Sequence, residues 1–274
     1  ILIIVAVAAV FAPVLAPADP NHGEIVARLQ CPVFTSCPRF GTDQTIHGSS
    51  KHILGTDQLG RDILSRIIYG ARISLIVGLT AVAIGAGFGT ILGLVSGYYG
   101  RWADSLIMRV GDVFLAFPFF LLAIAIVAAV GGGLFNVIVV LAVASWVPYA
   151  RLIRGSVLSS KAQEYVIAAR AIGVRDMQLL LKHILPNVIT PVIVYATFGV
   201  AAAIIAEAGL SFLGLGVGST VSDWGAMLAD GRQYVGTAWW LATIPGVAIM
   251  LTVLSINMIG DWIRDALDPH LRNV

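Results

Sequence analysis

SKAQEYVIAARAIGVRDMQLLLKHILP, residues 160–186, is the polar stretch around which this chain is organised. It separates two apolar runs, and its pattern predicts two short helices joined by a turn. Ser160 and Gln163 fit an S-x-x-Q capping box at the start of the first helix, and Gly173 is placed to end that helix in a left-handed turn. The second helix has an acidic N-cap candidate and a proline that limits its continuation, Asp176 and Pro186. A segment with this many start and stop signals is a candidate docking surface rather than a slack connector.

The composition indicates an integral membrane protein. Of the 274 residues, 58% are hydrophobic and only 12% are charged, and the mean hydropathy is +0.90. A soluble domain of this size carries about 25% charged residues. The net charge of +2 is too small to indicate nucleic acid binding. We therefore expect a chain that lies in a lipid membrane and does not bind nucleic acid.

Apolar runs predict the membrane-spanning helices, because a helix needs about 20 apolar residues to cross the hydrocarbon core. Six such runs occur, at 1–17, 73–98, 112–130, 134–150, 188–209 and 238–260. The first run is short, so we expect a truncated first helix; a cleaved signal peptide ending near Ala16-Pro17-Ala18 is the alternative. The second run is rich in glycine at spacings of about four, which lets helices approach closely.

The positions of lysine and arginine predict the orientation. If both termini are cytoplasmic, the inside segments 99–111, 151–187 and 261–274 hold most of the later basic residues. The segment 18–72 is also basic, but long loops cross membranes with little regard for charge. We therefore expect 18–72 to be an extracytoplasmic loop, and 73–274 to be a five-helix core whose 151–187 loop faces the cytoplasm.

Two features of the extracytoplasmic segment suggest local structure. Cys31 and Cys37 are the only cysteines, and a disulfide in an oxidising compartment is favoured over two free thiols. The amphipathic run 63–69 predicts an interfacial helix lying along the membrane before the second span. A metal site is not expected, since the histidines share no ligand spacing with the cysteines: His22, His47 and His52.

Motifs for covalent chemistry or nucleotide binding are missing from the sequence. It has no G-x-x-x-x-G-K-[ST] phosphate loop, no H-E-x-x-H and no G-x-S-x-G. Catalytic residues are therefore not predicted. Glu207 is the acidic residue deepest inside an apolar segment, and buried ionisable groups in membrane helices are functional candidates. A local cap or pair at the end of the helix is the alternative role for Glu207.

Four stretches resemble the permease subunits of ATP-binding-cassette importers, in the dipeptide, oligopeptide and nickel group. They are HILGTDQLGRDILSRIIYGARISL at 52–75, GYYGRWADSLIMRVGDVFLAFP at 97–118, EYVIAARAIGVRDMQLLLKHILPN at 164–187, and EAGLSFLGLG at 207–216 with the tail RDALDPHLR at 264–272. Together they cover most of the chain beyond residue 50. The resemblance implies an all-α membrane protein of the type I importer permease kind, with six transmembrane helices and cytoplasmic termini.

The third stretch is similar to the family's cytoplasmic motif, E-A-A-x3-G-x9-I-x-L-P. The residues that match the motif are Ala168, Ala169, Gly173, Leu185 and Pro186. Ile167 replaces the motif's glutamate and His183 replaces its isoleucine, so the acid's role is in doubt, and Glu164 is a candidate substitute. The resemblance implies a coupling helix that docks in a groove of an ATPase subunit. Anchor and rim candidates for that groove are Tyr165, Ile172, Arg170 and Arg175.

The family implies the rest of the assembly. A second homologous permease, two ATP-binding-cassette ATPases and an extracytoplasmic substrate-binding protein would be partners in a bacterial inner membrane. ATP and magnesium would bind to the ATPases, so this chain would hold no cofactor and make no covalent bond. We expect peptide import. The alternatives are nickel or another small nutrient, for which the spans lack a His, Met or carboxylate cluster, and a self-sufficient channel or secondary transporter, for which only Glu207 is available.

Overall fold

The computed structural model describes residues 1–38, 45–218 and 221–267, which are mostly helical. The α-helices are α1 (Leu2–Val10), α2 (Ala12–Leu15), α3 (Ile63–Tyr99), α4 (Arg101–Leu115), α5 (Phe119–Val130), α6 (Leu134–Lys161), α7 (Glu164–Ala171), α8 (Asp176–Gln178), α9 (Leu185–Val188), α10 (Thr190–Phe212), α11 (Trp224–Gly231) and α12 (Trp240–Leu267). Short 3₁₀ helices cover Ile25–Ala27 and Arg232–Tyr234, and a π-helix covers Leu179–Ile184.

An antiparallel pair of strands adds a small exception to the predicted all-α fold. β1 (Ser36–Pro38) and β2 (Thr45–His47) pair so that Ser36 lies opposite His47. Both strands belong to the segment that the sequence assigns to an extracytoplasmic loop. The ribbon is too short to change the fold class, which is that of a helical membrane protein.

Four helices in the described part of the chain are long and apolar enough to cross a membrane: α3, α6, α10 and α12. The pair α4 and α5 passes the same test together, but the two helices meet at a bend of 90°. The sequence predicts a short link over 99–111 and a span over 112–130. The predicted link is wrong, because Arg101–Leu115 is a helix, and the predicted span corresponds to the bent pair as a whole. Pro118, in the short break before α5, cannot donate a backbone hydrogen bond, so the break falls where a helix ladder is weakest.

The predicted first span, 1–17, is divided at Phe11 into α1 and α2. The nine residues of α1 rise by roughly 14 Å, against about 30 Å of hydrocarbon. Spans are thus found for five of the six predicted runs when the bent pair is taken as one. The count of six and the sides on which the termini lie stay predictions.

The start of α3 differs from the predicted interfacial helix. Ile63–Tyr69 is continuous with the span in one helix of 37 residues, so the prediction of a separate helix is wrong. Asp62 caps this helix: one of its carboxylate oxygens accepts the backbone N–H and the hydroxyl of Ser65, each at 2.8 Å. Capping at this point starts α3 ten residues before the apolar run begins at Ile73, because the cap satisfies the free amides of the first turn.

The chain divides into two compact units, whose boundaries fall inside helices. The first unit is formed by Ile1–Gly78, Val127–Val137 and Ala201–Ser255. Its core is built around Trp224 and Trp240, which are both buried. The indole N–H of Trp224 donates to the Ile67 carbonyl at 3.0 Å, and that of Trp240 donates to Thr56 at 3.3 Å. These bonds satisfy the polar edge of each buried indole.

The second unit is formed by Leu79–Ile126, Ile138–Val200 and the segment that begins at Ile256. Glycines of α3 pack directly against α6 within it. A Cβ at Gly93 would lie 2.5 Å from the Ala150 carbonyl oxygen, and one at Gly97 would lie 2.8 Å from Val157 Cβ. The close approach predicted from the glycine spacing is therefore confirmed, since these positions leave no room for a side chain.

Candidate functional site

The helix α7 has one face in the protein interior and one face outside. Val166 and Ala169 are buried. The side that faces outward is largely apolar: Tyr165, Ile167 and Ile172 are 41%, 58% and 82% exposed. We call Tyr165, Ile167, Ala168 and Ile172 the α7 patch. Exposed apolar side chains gathered on one short helix are typical of a surface that another protein covers.

Gly173 ends α7 in the left-handed conformation that the sequence predicts, with φ of +81°. The amide of Val174 donates to the Ala169 carbonyl at 3.2 Å, and the amide of Gly173 donates to the Arg170 carbonyl at 3.0 Å. This pair of bonds is a Schellman motif, which satisfies carbonyls at the end of the helix. No described atom lies within 4 Å of a Cβ built on Gly173, so the backbone angle and not the space calls for glycine.

The predicted capping box is wrong. α6 continues through Ser160 to Lys161, and the Ser160 hydroxyl lies 2.5 Å from the Tyr165 hydroxyl. Gln163 is the N-cap of α7, but its side chain makes no capping hydrogen bond in the described structure. The capping role predicted for Asp176 is also wrong, because Arg175 is the N-cap of α8 and Asp176 lies inside its first turn.

The predicted stop at Pro186 is replaced by a change in helix type. The π-helix over Leu179–Ile184 leads straight into α9, in which Pro186 occupies the first turn. A proline is tolerated in a first turn because its missing N–H has no helical partner there. The side-chain amide of Asn187 donates to the His183 carbonyl at 2.7 Å. The chain therefore stays helical past the proline.

Tyr98, in the last turn of α3, holds this segment to the rest of its unit. Its hydroxyl donates to the Asp176 carboxylate and accepts a hydrogen bond from the Arg170 guanidinium at 3.3 Å. Its backbone carbonyl accepts from Lys161 Nζ at 2.6 Å. The two cations also lie over its ring, at 5.4 Å for Lys161 and 5.7 Å for Arg170. One buried tyrosine thus joins α3, α6, α7 and α8.

A bidentate ion pair supports the same part of the unit. The Arg154 guanidinium on α6 donates to both carboxylate oxygens of Asp104 on α4, at 2.5 and 2.6 Å. The Ser96 hydroxyl of α3 donates to the same carboxylate at 2.5 Å. Planar two-point pairing of this kind fixes orientation as well as distance. This ion pair joins the last turns of α3 to α4 and α6. The contacts that Lys161 and Arg170 make with Tyr98 therefore add to an end of α3 that is already fixed.

The structure separates the residues that the sequence groups as one docking set. Of the paired alanines, Ala168 is exposed and Ala169 is buried. Arg170, expected at the rim of a partner groove, is engaged by Tyr98. Glu164, Ile167 and Ile172 are exposed on α7 or at its end. Beyond the turn at Gly173, Leu185 is half-buried and Pro186 is exposed.

Sequence reasoning missed Tyr98 and Lys161 as parts of this site. Tyr98 lies in the stretch 97–118 that carries the family resemblance, but the sequence does not show which of the adjacent Tyr98 and Tyr99 points inward. Tyr98 is 5% exposed and Tyr99 is 51% exposed. The series Gly89, Gly93 and Gly97 gives no signal for Tyr98, because the next residue in a helix is rotated by about 100°.

Glu207 lies fully buried in the first unit. Its carboxylate accepts a hydrogen bond from the Ser211 hydroxyl at 2.9 Å, and Asp223 and Ser74 lie beside it. Asp223 in turn caps α11 by accepting the amides of Gly225 and Ala226, each at 3.0 Å. Glu207 thus belongs to a buried polar group near the end of α10.

Cys31 and Cys37 are joined by a disulfide, with their Cα atoms 6.1 Å apart. Cys37 lies in β1, and both cysteines are buried in the core of the first unit. Among the described residues there is no group of three or more His, Cys, Asp or Glu side chains that could hold a metal ion.

The fold of this chain is also found in solved structures. The chain is similar to a subunit of the MetNI methionine ABC transporter in inward-facing conformations, with 22% identity, a TM-score of 0.60, and coverage of 74% of this chain and 96% of the other. A chain of an amino acid ABC transporter crystallised with histidines has 16% identity, a TM-score of 0.59, and coverage of 74% and 95%. At these identities the likeness shows the fold.

The sequence comparison places the chain in a family. Residues 89–273 match the family described as binding-protein-dependent transport system inner membrane component, and the chain belongs to that family. The dipeptide transport system permease protein DppC of Alkalihalophilus pseudofirmus is 45% identical over 265 residues, 97% of this chain and 82% of the relative. The glutathione transport system permease protein GsiD of Pectobacterium atrosepticum is 48% identical over 235 residues, 85% and 78% of the two chains. The resemblance inferred from the sequence is confirmed.

Proposed function

We propose that this chain is the permease subunit of an ATP-driven peptide importer in a bacterial inner membrane. Family membership supports the transport role, since the family is described as an inner membrane component of binding-protein-dependent systems. The names of the relatives support the cargo. They are a dipeptide permease, a di/tripeptide permease and a glutathione permease, and glutathione is itself a tripeptide.

The α7 patch is the observation that carries the coupling role. It lies at the family's motif, its aliphatic side chains are exposed, and its helix is ended by the Schellman turn at Gly173. Burying Ile172 against a partner would contribute about 1.5–3 kcal/mol, because an aliphatic side chain is removed from water. We propose that the partner is a cytoplasmic ATPase subunit. ATP and magnesium would bind to that subunit and not to this chain.

Tyr98 would pass the motion of the ATPase to the membrane helices. When a partner moves α7, the contacts of Tyr98 with Arg170 and Asp176 transfer the displacement to the last turn of α3. The packed glycine face then resists bending of α3 against α6, so the two helices would move together. A second permease subunit would complete the path, and an extracytoplasmic binding protein would deliver the peptide.

The test is the assembled transporter, reconstituted with its ATPases, partner permease and binding protein. Replacing Ile172 with Asp places a charge in the proposed interface at a position that is 82% exposed. We expect ATP hydrolysis stimulated by peptide-loaded binding protein to fall by at least about tenfold, which corresponds to ~1.4 kcal/mol of lost coupling. Uptake of labelled dipeptide should fall in parallel.

Ala162→Asp is the matched control, since Ala162 is exposed in the turn just before α7 and lies outside the α7 patch. It should leave hydrolysis and uptake within about twofold of the parent, as surface changes usually do. If Ile172→Asp behaves like this control, the α7 patch does not couple to an ATPase. If the unmodified transporter takes up no peptide, the proposed cargo is wrong.

A further inference from the structure

The first unit contains a pocket with charged groups on its wall. It has a volume of about 460 Å³ and is lined by residues that precede α3 or begin it and by residues of 211–218 and 221–230. Pockets that bind small ligands have volumes of about 300–1,000 Å³. The charged groups that line it are Arg61, Arg66, Asp223 and Asp230.

The two arginines are held by one buried carboxylate. Asp57, which is almost fully buried, accepts a hydrogen bond from Arg61 Nε and another from Arg66 Nη1, each at 2.6 Å. It also accepts the backbone amides of Leu59 and Arg61, at 2.8 and 2.9 Å. Asp57 therefore fixes both guanidinium groups at the pocket before any ligand arrives.

Asp230 is the looser partner of the same arginines. Its carboxylate is 40% exposed, and its Oδ2 atom lies 3.5 Å from Arg61 and 3.9 Å from Arg66. These distances allow an ion pair but not a good hydrogen bond. Asp223, the other acid on the wall, already has both oxygens bound to amides of α11. Asp230 is thus the one acid among them that a ligand could displace at little cost.

The pocket wall also has donor capacity to spare. Arg66 is only 3% exposed, and its Nε atom has no hydrogen-bond partner among the described residues. A guanidinium carries five N–H donors, and a buried donor left unpaired costs about 1–3 kcal/mol. Since the Nε atom of Arg66 is itself enclosed by protein, the donors that a carboxylate entering beside Asp230 would meet are the N–H groups of Arg61 and Arg66 that line the pocket.

We propose that this pocket binds the terminal carboxylate of a peptide through Arg61 and Arg66, with Asp230 moving aside. The inference rests on the proposed peptide transport and adds a binding site within the permease itself. Paired guanidinium groups recognise carboxylates in two-point geometry, which an amide does not reproduce. The site therefore favours peptides whose C-terminus is free.

The experiment measures binding to the full-length chain with its partner subunit in nanodiscs, without binding protein, by saturation-transfer NMR. The probes are Ala-Ala, its N-acetyl form and its C-terminal amide. We expect Ala-Ala and the N-acetyl form to bind alike, and the amide at least about tenfold more weakly, as for the loss of one charge-assisted pair. Equal binding of all three probes, or no binding of Ala-Ala at millimolar concentration, overturns the inference.

Two variants separate binding from support of the fold. Asp230→Asn removes the competing charge and should tighten Ala-Ala binding by up to about fivefold, the range of an exposed ion pair. Ala229→Leu fills the pocket and should abolish binding. Glu24→Gln is the matched control, because it breaks an exposed pair with Lys51 and Glu24 does not line the pocket. A weaker rather than tighter Asp230→Asn complex, in a protein of parental melting temperature, would assign these residues to the fold alone.

The binding experiment on the pocket and the test of peptide import can fail independently of each other. Uptake of peptide by the assembled transporter tests the function. If uptake is normal while Ala229→Leu leaves dipeptide binding unchanged, the carboxylate site is wrong and the importer stands.

Discussion

The phenol of Tyr98 donates a hydrogen bond to the carboxylate of Asp176, a residue 78 positions further along the chain. The bond joins the end of the longest helix to the start of α8, beyond the turn at Gly173. Because Arg170 also contacts the same phenol, both sides of that turn are fixed to one point. The α7 patch is therefore presented on a support and not on a loose loop.

Replacing Tyr98 with Phe should loosen this support. The ring stays, but the hydrogen bonds to Asp176 and Arg170 are lost, which would destabilise the local structure by about 1–2 kcal/mol. Amide hydrogen exchange over 164–178 should speed up by at least about tenfold. Tyr99→Phe is the control, since Tyr99 is half exposed. Equal exchange in the two variants would show that the phenol of Tyr98 does not hold α7.

The loss of stability on replacing Gly173 should depend on how well the new residue adopts a left-handed backbone, and not on the size of its side chain. The left-handed conformation costs a β-branched residue most, so Gly173→Val should lower stability by about 1–2 kcal/mol. Gly173→Asn should cost less, because asparagine tolerates that conformation and no described atom lies within 4 Å of the new Cβ. Thermal unfolding of the two variants tests the order. A larger loss for Asn than for Val would mean that another contact decides this position.

Replacing Gly93 or Gly87 of α3 with alanine should change the stability of the protein in opposite directions. Gly93→Ala places a Cβ 2.5 Å from the Ala150 carbonyl oxygen, and overpacking of this kind costs about 1–3 kcal/mol. Gly87→Ala meets no described atom within 4 Å and should stabilise α3 by up to about 1 kcal/mol, because alanine favours a helix. Melting temperatures in detergent would show the difference. Similar melting of the two variants would contradict the close packing of α3 on α6.

The disulfide between Cys31 and Cys37 should be chemically visible. Unreduced protein should take up no alkylating reagent by mass spectrometry, and reduced protein should take up two equivalents, one for each of its two cysteines. The double replacement with Ala should destabilise the first unit by about 2 kcal/mol, as for a short closed loop. Two reactive thiols in freshly purified, unreduced protein would refute the bridge.

The sequence predicts the membrane class and most of the spans, because apolar length is a direct requirement of the bilayer. It predicts the end of α7 at Gly173, where a single residue type is needed for the backbone angle. It also predicts the packed glycine face of α3, since a spacing of about four places small residues on one side. In each case one local rule is sufficient.

The errors arise where distant contacts override local signals. Ser160 has the right spacing for a capping box, but α6 continues through it and its hydroxyl meets Tyr165. Asp176 has the right chemistry for an N-cap, but its carboxylate is taken by Tyr98. The charged segment 99–111 resembles a link, although Asp104 pairs with Arg154 and helps to hold it as a helix. Tyr98 and Arg154 lie 78 and 50 positions away from the residues that they contact, whereas Tyr165 is only five positions from Ser160 but lies beyond the end of α6.

Ile167 is 58% exposed at the position where the family motif has glutamate. If the proposed ATPase placed a basic group opposite this position, as a glutamate there would require, Ile167 would leave that group without a counter-charge. Such a mismatch costs several kcal/mol. Under the proposed docking, Ile167 would therefore disfavour an ATPase whose groove suits a glutamate at this position.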